Sequence, residues 1–127
     1  MARVMADPQQ TKFVLDESRI PRSWYNIAAD LPVPFDALAL FGRSEADGVV
    51  RAAPLEVEVG SGKGLFLAGA SQAQLDHDFL GIEVAQKYAR YAAAKLARQA
   101  STNAVLIHGD ALALFRNWFP AASLAAV

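Results

Sequence analysis

The feature that most constrains this chain is the run Glu58-Val59-Gly60-Ser61-Gly62-Lys63-Gly64, which sits where one periodicity gives way to another. Before it, Leu55, Val57 and Val59 alternate with Glu56 and Glu58, the period of a strand; after it, Leu65-Phe66-Leu67-Ala68 opens a helical pattern. Glycine lacks a Cβ, so the backbone at such a junction can turn tightly and let a ligand approach closely. In open α/β sheets this strand-to-helix turn is where nucleotides bind.

Strand and helix signals keep alternating downstream. The spacing predicts strands near 55–59, 79–83 and 104–108 and helices near 63–75, 85–100 and 110–118, with a fourth strand starting at Leu124-Ala125-Ala126-Val127. That order implies a parallel sheet with right-handed crossovers. The expected class is α/β, a Rossmann-like sheet of about four strands that reads as incomplete, because the sequence stops inside a strand signal. Residues 1–53 read as an irregular leading segment. Pro21, Pro32, Pro34 and Pro54 each bias the preceding residue away from helix, and only Phe35–Phe41 suggests a short helix, ended by Gly42. The expected division is 1–53 irregular and 54–127 ligand-binding.

Composition narrows the function classes. At 127 residues and 54% hydrophobic the chain has material for one core, and with no cysteine it has neither disulfides nor thiolate metal ligands. Two histidines argue against a metal enzyme, and no apolar stretch suits a signal peptide or a membrane span, so the cytoplasm is the default address. Twelve Lys and Arg against thirteen Asp and Glu give no general pull toward a polyanion, so any nucleic-acid contact must be local.

Spacing separates three nucleotide-loop readings of the turn. A P-loop requires Ser or Thr after its lysine, but Gly64 follows Lys63. The dinucleotide fingerprint requires Gly or Ala three residues after its second glycine, where Leu65 stands. What remains is acid-x-Gly-x-Gly-x-Gly, with Glu58 just ahead of the turn. A carboxylate there repels a pyrophosphate and suits a ligand carrying an ammonium and a sulfonium, as S-adenosylmethionine does; the alternative is a plain tight turn. The ligand's own carboxylate would meet the positive end of the following helix.

Two further acids fall at corresponding places. Glu83 ends the second strand about twenty residues past the turn, where such sheets hold a ribose, although it could instead cap the next helix. Gly81, inside an apolar strand, suggests close approach of another backbone or a ligand. Asp110 follows the third strand and could accept from an adenine amino group, serve as a helix N-cap, or do both. His108 reads as a packed strand-end residue rather than a base. On the helix after Glu83, Lys87, Arg90, Tyr91, Lys95 and Arg98 share one side and Ala85, Ala89, Ala92, Ala93, Leu96 and Ala100 the other. That basic side could touch phosphates or could simply be solvated.

Together, Pro54–Gly64, Phe79-Leu80-Gly81-Ile82-Glu83-Val84 and His108-Gly109-Asp110-Ala111 resemble the bacterial tRNA (guanine-N7)-methyltransferase family over roughly residues 54–118. The resemblance implies a class I methyltransferase fold, S-adenosylmethionine as methyl donor and N7 of a variable-loop guanine in tRNA as acceptor. It also implies that Glu58, Gly60, Glu83 and Asp110 bind the donor, Gly60 by letting the methionine portion lie against the backbone. Ser61 departs from the family, many members of which carry an aromatic there. The family's next motif, of Phe-Pro-Asp-Pro-Trp type, would begin after Val127, so no catalytic residue is assigned. Two alternatives stand beside this reading: a methyltransferase of another substrate, and a non-catalytic fragment that binds a nucleotide or a partner.

Overall fold

The alternation of apolar and polar residues folds as its period dictates in a computed structural model that describes residues 24–42 and 53–127. The order is β1 (Tyr25–Ile27), a 3-10 turn (Ala28–Asp30), α1 (Ala37–Leu40), β2 (Leu55–Val59), α2 (Leu65–Ala73), β3 (Asp78–Glu83), α3 (Gln86–Arg98), β4 (Ala104–His108) and α4 (Ala111–Asn117). The strands form one sheet in the order β1-β4-β3-β2, every neighbouring pair parallel. Helices α2 and α3 supply the crossovers that parallel pairing of β2 with β3 and of β3 with β4 requires.

The predicted elements from Leu55 onward are present, with helices one or two residues shorter at each end than the periodicity suggested. The predicted fourth strand is reduced to a single bridge. Ala126 pairs parallel to Glu56, with the Val57 amide donating to the Ala126 carbonyl at 2.9 Å and the Ala125 amide donating to the Leu55 carbonyl at 2.8 Å. This places the returning chain on the side of β2 opposite β3. Winding runs outward from β2 through β3 and β4, then comes back across β2, so the direction reverses there. In an open α/β sheet the crevice at such a reversal, beyond the carboxyl ends of the strands, is where ligands bind.

Within the leading segment, the described residues 24–42 form regular elements despite the prolines among them. Tyr25–Ile27 add an edge strand beside β4, in register Tyr25 to Leu106 and Ile27 to His108. Trp24 Nε1 donates to the Ser101 carbonyl at 3.0 Å, and Asn26 Nδ2 donates to the Leu106 carbonyl at 3.2 Å. Leu31 and Leu40 are buried, and the Phe35 ring meets the Trp118 ring edge-on at 4.9 Å. Trp118 Nε1 in turn donates to the Pro32 carbonyl at 2.7 Å. The short helix expected before Gly42 is α1, capped by the Asp36 side chain, which accepts from the Ala39 amide. The rest of the expected irregular segment, residues 1–23 and 43–52, lies outside the described residues.

Two apolar clusters flank the sheet. On one face Leu55, Val57, Leu80, Ile82, Val105 and Ile107 pack with Leu31, Leu40 and Leu114. On the other, Phe79, Ala104 and Leu106 pack with Leu67 of α2 and with Ala89, Ala92, Ala93 and Leu96 of α3. Four small-to-medium side chains spaced along one side of α3 let that helix lie close to the strands, and burial drives the contact at about 25 cal/mol per Å² of apolar surface. The buried Asn103 amide ties this face together: its Nδ2 lies 3.0 Å from each of the Ser71, Gln74 and His77 carbonyls, so its two N–H groups are shared between the last turn of α2 and the turn that follows it.

Candidate functional site

Parallel register brings the three acids to the carboxyl ends of adjacent strands. Glu58 of β2 stands opposite Gly81, one residue pair short of the end of the β2–β3 ladder, and Glu83 closes β3 opposite His108 of β4. Asp110 follows two residues after His108 as the N-cap of α4. The turn after β2 folds over the end of β3: the Gly60 and Ser61 amides both donate to the Ile82 carbonyl, at 2.8 and 3.2 Å.

Glu83 is mostly structural in its visible contacts. Oε1 accepts from the Gly62 amide at 2.8 Å and Oε2 from the Ala85 amide at 2.8 Å, so a single buried carboxylate fastens the glycine turn to the start of α3. A carboxylate has about four lone-pair sites, so each oxygen retains one for a ligand hydroxyl. The helix-start contacts therefore leave capacity for the ribose hydroxyls that the sequence reading assigned to this residue. The Gly109 amide donates to the Glu83 carbonyl at 3.1 Å and continues the rim toward Asp110. Asp110 is exposed, and its Oδ1 accepts from the Leu112 amide at 3.0 Å, which makes it the helix cap that the sequence allowed as one of its roles.

Glu58 differs from both. Its Oε1 is buried and has no hydrogen-bond partner among the described residues. Burial pushes the carboxyl above its ordinary value of 4.5, and the Ser61 hydroxyl works in the opposite direction. A buried acceptor without a donor costs about 1–3 kcal/mol, and more when charged. The site therefore offers an acceptor that the described residues leave unpaired. Beside it, Gly60 and Gly62 adopt φ of +75° and +55°, which glycine reaches without strain, and a Cβ added at either would meet no atom within 4 Å. The backbone is open on the side where a side chain would stand, whereas Gly81 is closed: a Cβ there would collide with Ser61 Oγ and come within 2.8 Å of Leu67 Cδ2. The close approach expected at Gly81 is thus made by the turn and α2, not left free.

Sequence reasoning passed over three participants. Ser61 is buried, filling the space over Gly81, and its hydroxyl lies 3.4 Å from the Glu58 carbonyl. Gly62 contributes its amide to Glu83, and only its place in the turn could have marked it. Tyr25 approaches from β1 and puts its hydroxyl 2.9 Å from His108 Nδ1, which gives His108 a packed, hydrogen-bonded position at the strand end. Among the described residues no group of His, Cys, Asp and Glu could hold a metal ion, and no helix is long and apolar enough to cross a membrane.

Comparison with known proteins identifies the chain's relatives. Residues 52–127, more than half the chain, match the protein family described as "Putative methyltransferase". The chain is 44% identical over 93 residues to a tRNA (guanine-N(7)-)-methyltransferase of Rhodopirellula baltica, covering 73% of this chain and 31% of that protein. It is 38% identical over 107 residues to the protein of the same name from Anaeromyxobacter dehalogenans, covering 81% and 50%. The chain thus spans between about a third and a half of the length of these relatives. A stretch of 28 residues, 22% of the chain, is 57% identical to a tryptophan synthase beta chain 2 of Methanosarcina acetivorans, but it covers only 6% of that protein. With a parallel Rossmann-like sheet, a glycine turn at its winding reversal and a family match over residues 52–127, the chain belongs to this methyltransferase family.

Proposed function

We propose that this chain is the donor-binding portion of a tRNA (guanine-N7)-methyltransferase that takes its methyl group from S-adenosylmethionine. The observation that carries the reading is the unpartnered Glu58 Oε1, buried beside the open backbone of Gly60 and Gly62 at the point where strand winding reverses. These residues fit a cationic, nucleoside-bearing ligand. Glu58 would accept from its ammonium, Gly60 would leave room for its amino-acid portion, Glu83 would receive the ribose hydroxyls, and Asp110 would face the base amine. The names of the relatives support tRNA as the substrate.

When bound, the donor supplies an electrophilic sulfonium methyl. Guanine N7 already carries a lone pair, so no base is needed to expose it, and the protein's task is placement. Holding two reactants in line is worth roughly 7–11 kcal/mol in favourable cases. This chain's residues serve the donor half of that placement. Glu83 fixes the turn through Gly62, the turn fixes Glu58 through Ser61, and both are anchored to Ile82 in the middle strands of the sheet.

Two measurements test the reading. Titration calorimetry with S-adenosylmethionine is expected to give one saturable site on the chain. Nucleoside mass spectrometry of tRNA incubated with the whole protein and donor is expected to show 7-methylguanosine. Donor binding without that nucleoside would leave a methyltransferase of another acceptor, and no donor binding would overturn the site.

A further inference from the structure

The chain's charge is unevenly distributed. It carries a formal net charge of −1, yet between Glu83 and Asp110 the sequence holds Lys87, Arg90, Lys95 and Arg98 and no acid. Lys87, Tyr91, Lys95 and Arg98 follow one another at intervals of four, four and three, so they form a single stripe along α3, with Ala94 buried beneath it and Ala89, Ala92, Ala93 and Leu96 buried on the opposite side. At 1.5 Å rise per residue the stripe is about 16 Å long. Lys63, from the glycine turn, joins it from a second element: its Nζ lies 5.5 Å from the centre of the Tyr91 ring.

Local stability does not account for this arrangement. Lys87 lies in the first turn of α3, where the helix dipole disfavours a cation, and no acid shares that turn. Cations three apart on a helix repel. Lys63, Lys87 and Lys95 have no carboxylate in ion-pair contact among the described residues. Burial first, then the neighbouring charges of Arg98 and Lys63, lower the Lys95 ammonium below its ordinary range. A face that needed only solvation would intersperse both signs.

We infer that the α3 stripe of Lys87, Lys95 and Arg98, extended by Lys63 on Tyr91, is a phosphodiester-binding surface that lies along the backbone of the tRNA. The inference rests on the tRNA reading above and adds to it a contact surface apart from the donor crevice. Lysine contacts to phosphates release counterions and carry no sequence preference, so the surface sets affinity and orientation while leaving the choice of base to other residues.

The test is fluorescence anisotropy of a labelled, unmodified tRNA transcript with the full chain across a range of salt concentrations. In the double variant Lys87→Gln/Lys95→Gln, binding at low salt is expected to weaken, and the slope of log affinity against log salt to shrink by about 0.7–0.9 for each lysine. Lys87→Arg/Lys95→Arg is expected to restore the slope, and Arg116→Gln, on α4 and off the stripe, to leave it unchanged. Unaltered calorimetry with S-adenosylmethionine in each variant establishes that the fold is intact. An unchanged slope in the double glutamine variant, an equal loss in Arg116→Gln, or no tRNA association by the parent chain would overturn the inference. A slope lost as expected in a whole protein that forms no 7-methylguanosine would support the surface while overturning the proposed activity.

Discussion

Replacing Glu58 with glutamine sets ligand binding against stability. In the ligand-free chain the buried Glu58 Oε1 has no donor among the described residues, and burial raises the carboxyl above 4.5. A carboxyl whose folded value is raised destabilises the folded chain as pH climbs from the unfolded value through the folded one, and the penalty persists above that window. Glu58→Gln removes it, so the variant is expected to be at least as stable as the parent in urea unfolding at neutral pH. Donor binding is expected to move the other way. Losing a charge-assisted hydrogen bond of about 1.5–3 kcal/mol corresponds to roughly 10- to 150-fold weaker binding by calorimetry. The pH dependence follows from the same group. A cation prefers the ionised carboxylate, so donor affinity in the parent chain falls on acidification as pH drops through the raised value, while in the variant this part of the profile is flat. Unchanged affinity, or a variant that is less stable than the parent, would refute the assignment of Glu58 to the ligand.

Glu83→Gln should behave oppositely, because a side-chain amide can accept from only one of the Gly62 and Ala85 amides and turns a donor toward the other; stability and donor affinity are expected to fall together in urea unfolding and calorimetry. Gly81→Ala places a methyl against Ser61 Oγ, 2.8 Å from Leu67 Cδ2 and 3.0 Å from Leu106 Cδ1, and is expected to cost about 1–3 kcal/mol of unfolding free energy. Ala100, at φ of +49° after α3, follows the opposite logic. Ala100→Gly relieves about 1–2 kcal/mol of left-handed strain against about 0.4–1 kcal/mol of added chain entropy, so thermal unfolding should show a gain of roughly 0.5–1 kcal/mol.

The sheet from Leu55 to His108 was legible because each strand is five or six residues long and stops at a glycine or an acid, which gives the alternation room to register. The edge strand was not. Tyr25–Ile27 span three residues among prolines, too short to show a period, and they are held by Leu106 and its neighbours some eighty residues away. The candidate site divides similarly. The positions of Glu58, Glu83 and Asp110 followed from strand ends, but the partners of each depend on how the turn folds over β3. Nothing in the spacing indicates that Glu83 is already bonded twice to backbone while Glu58 Oε1 is not. Gly81 signalled a close approach, but what approaches is the side chains of Ser61, Leu67 and Leu106 rather than a backbone or a ligand, and the only sequence signal at Ser61 was its difference from an aromatic.

The pairing of Tyr25–Ile27 with β4 also imposes a timetable on assembly. A strand made early in synthesis has no partner until residues 104–108 have been made, so it must wait while β2, β3 and their helices form from nearer neighbours. Joining segments so far apart in sequence carries a loop-closure cost that only the collapsed remainder of the sheet reduces. The Tyr25–His108 contact is therefore a natural reporter of when this early-made strand has docked on β4.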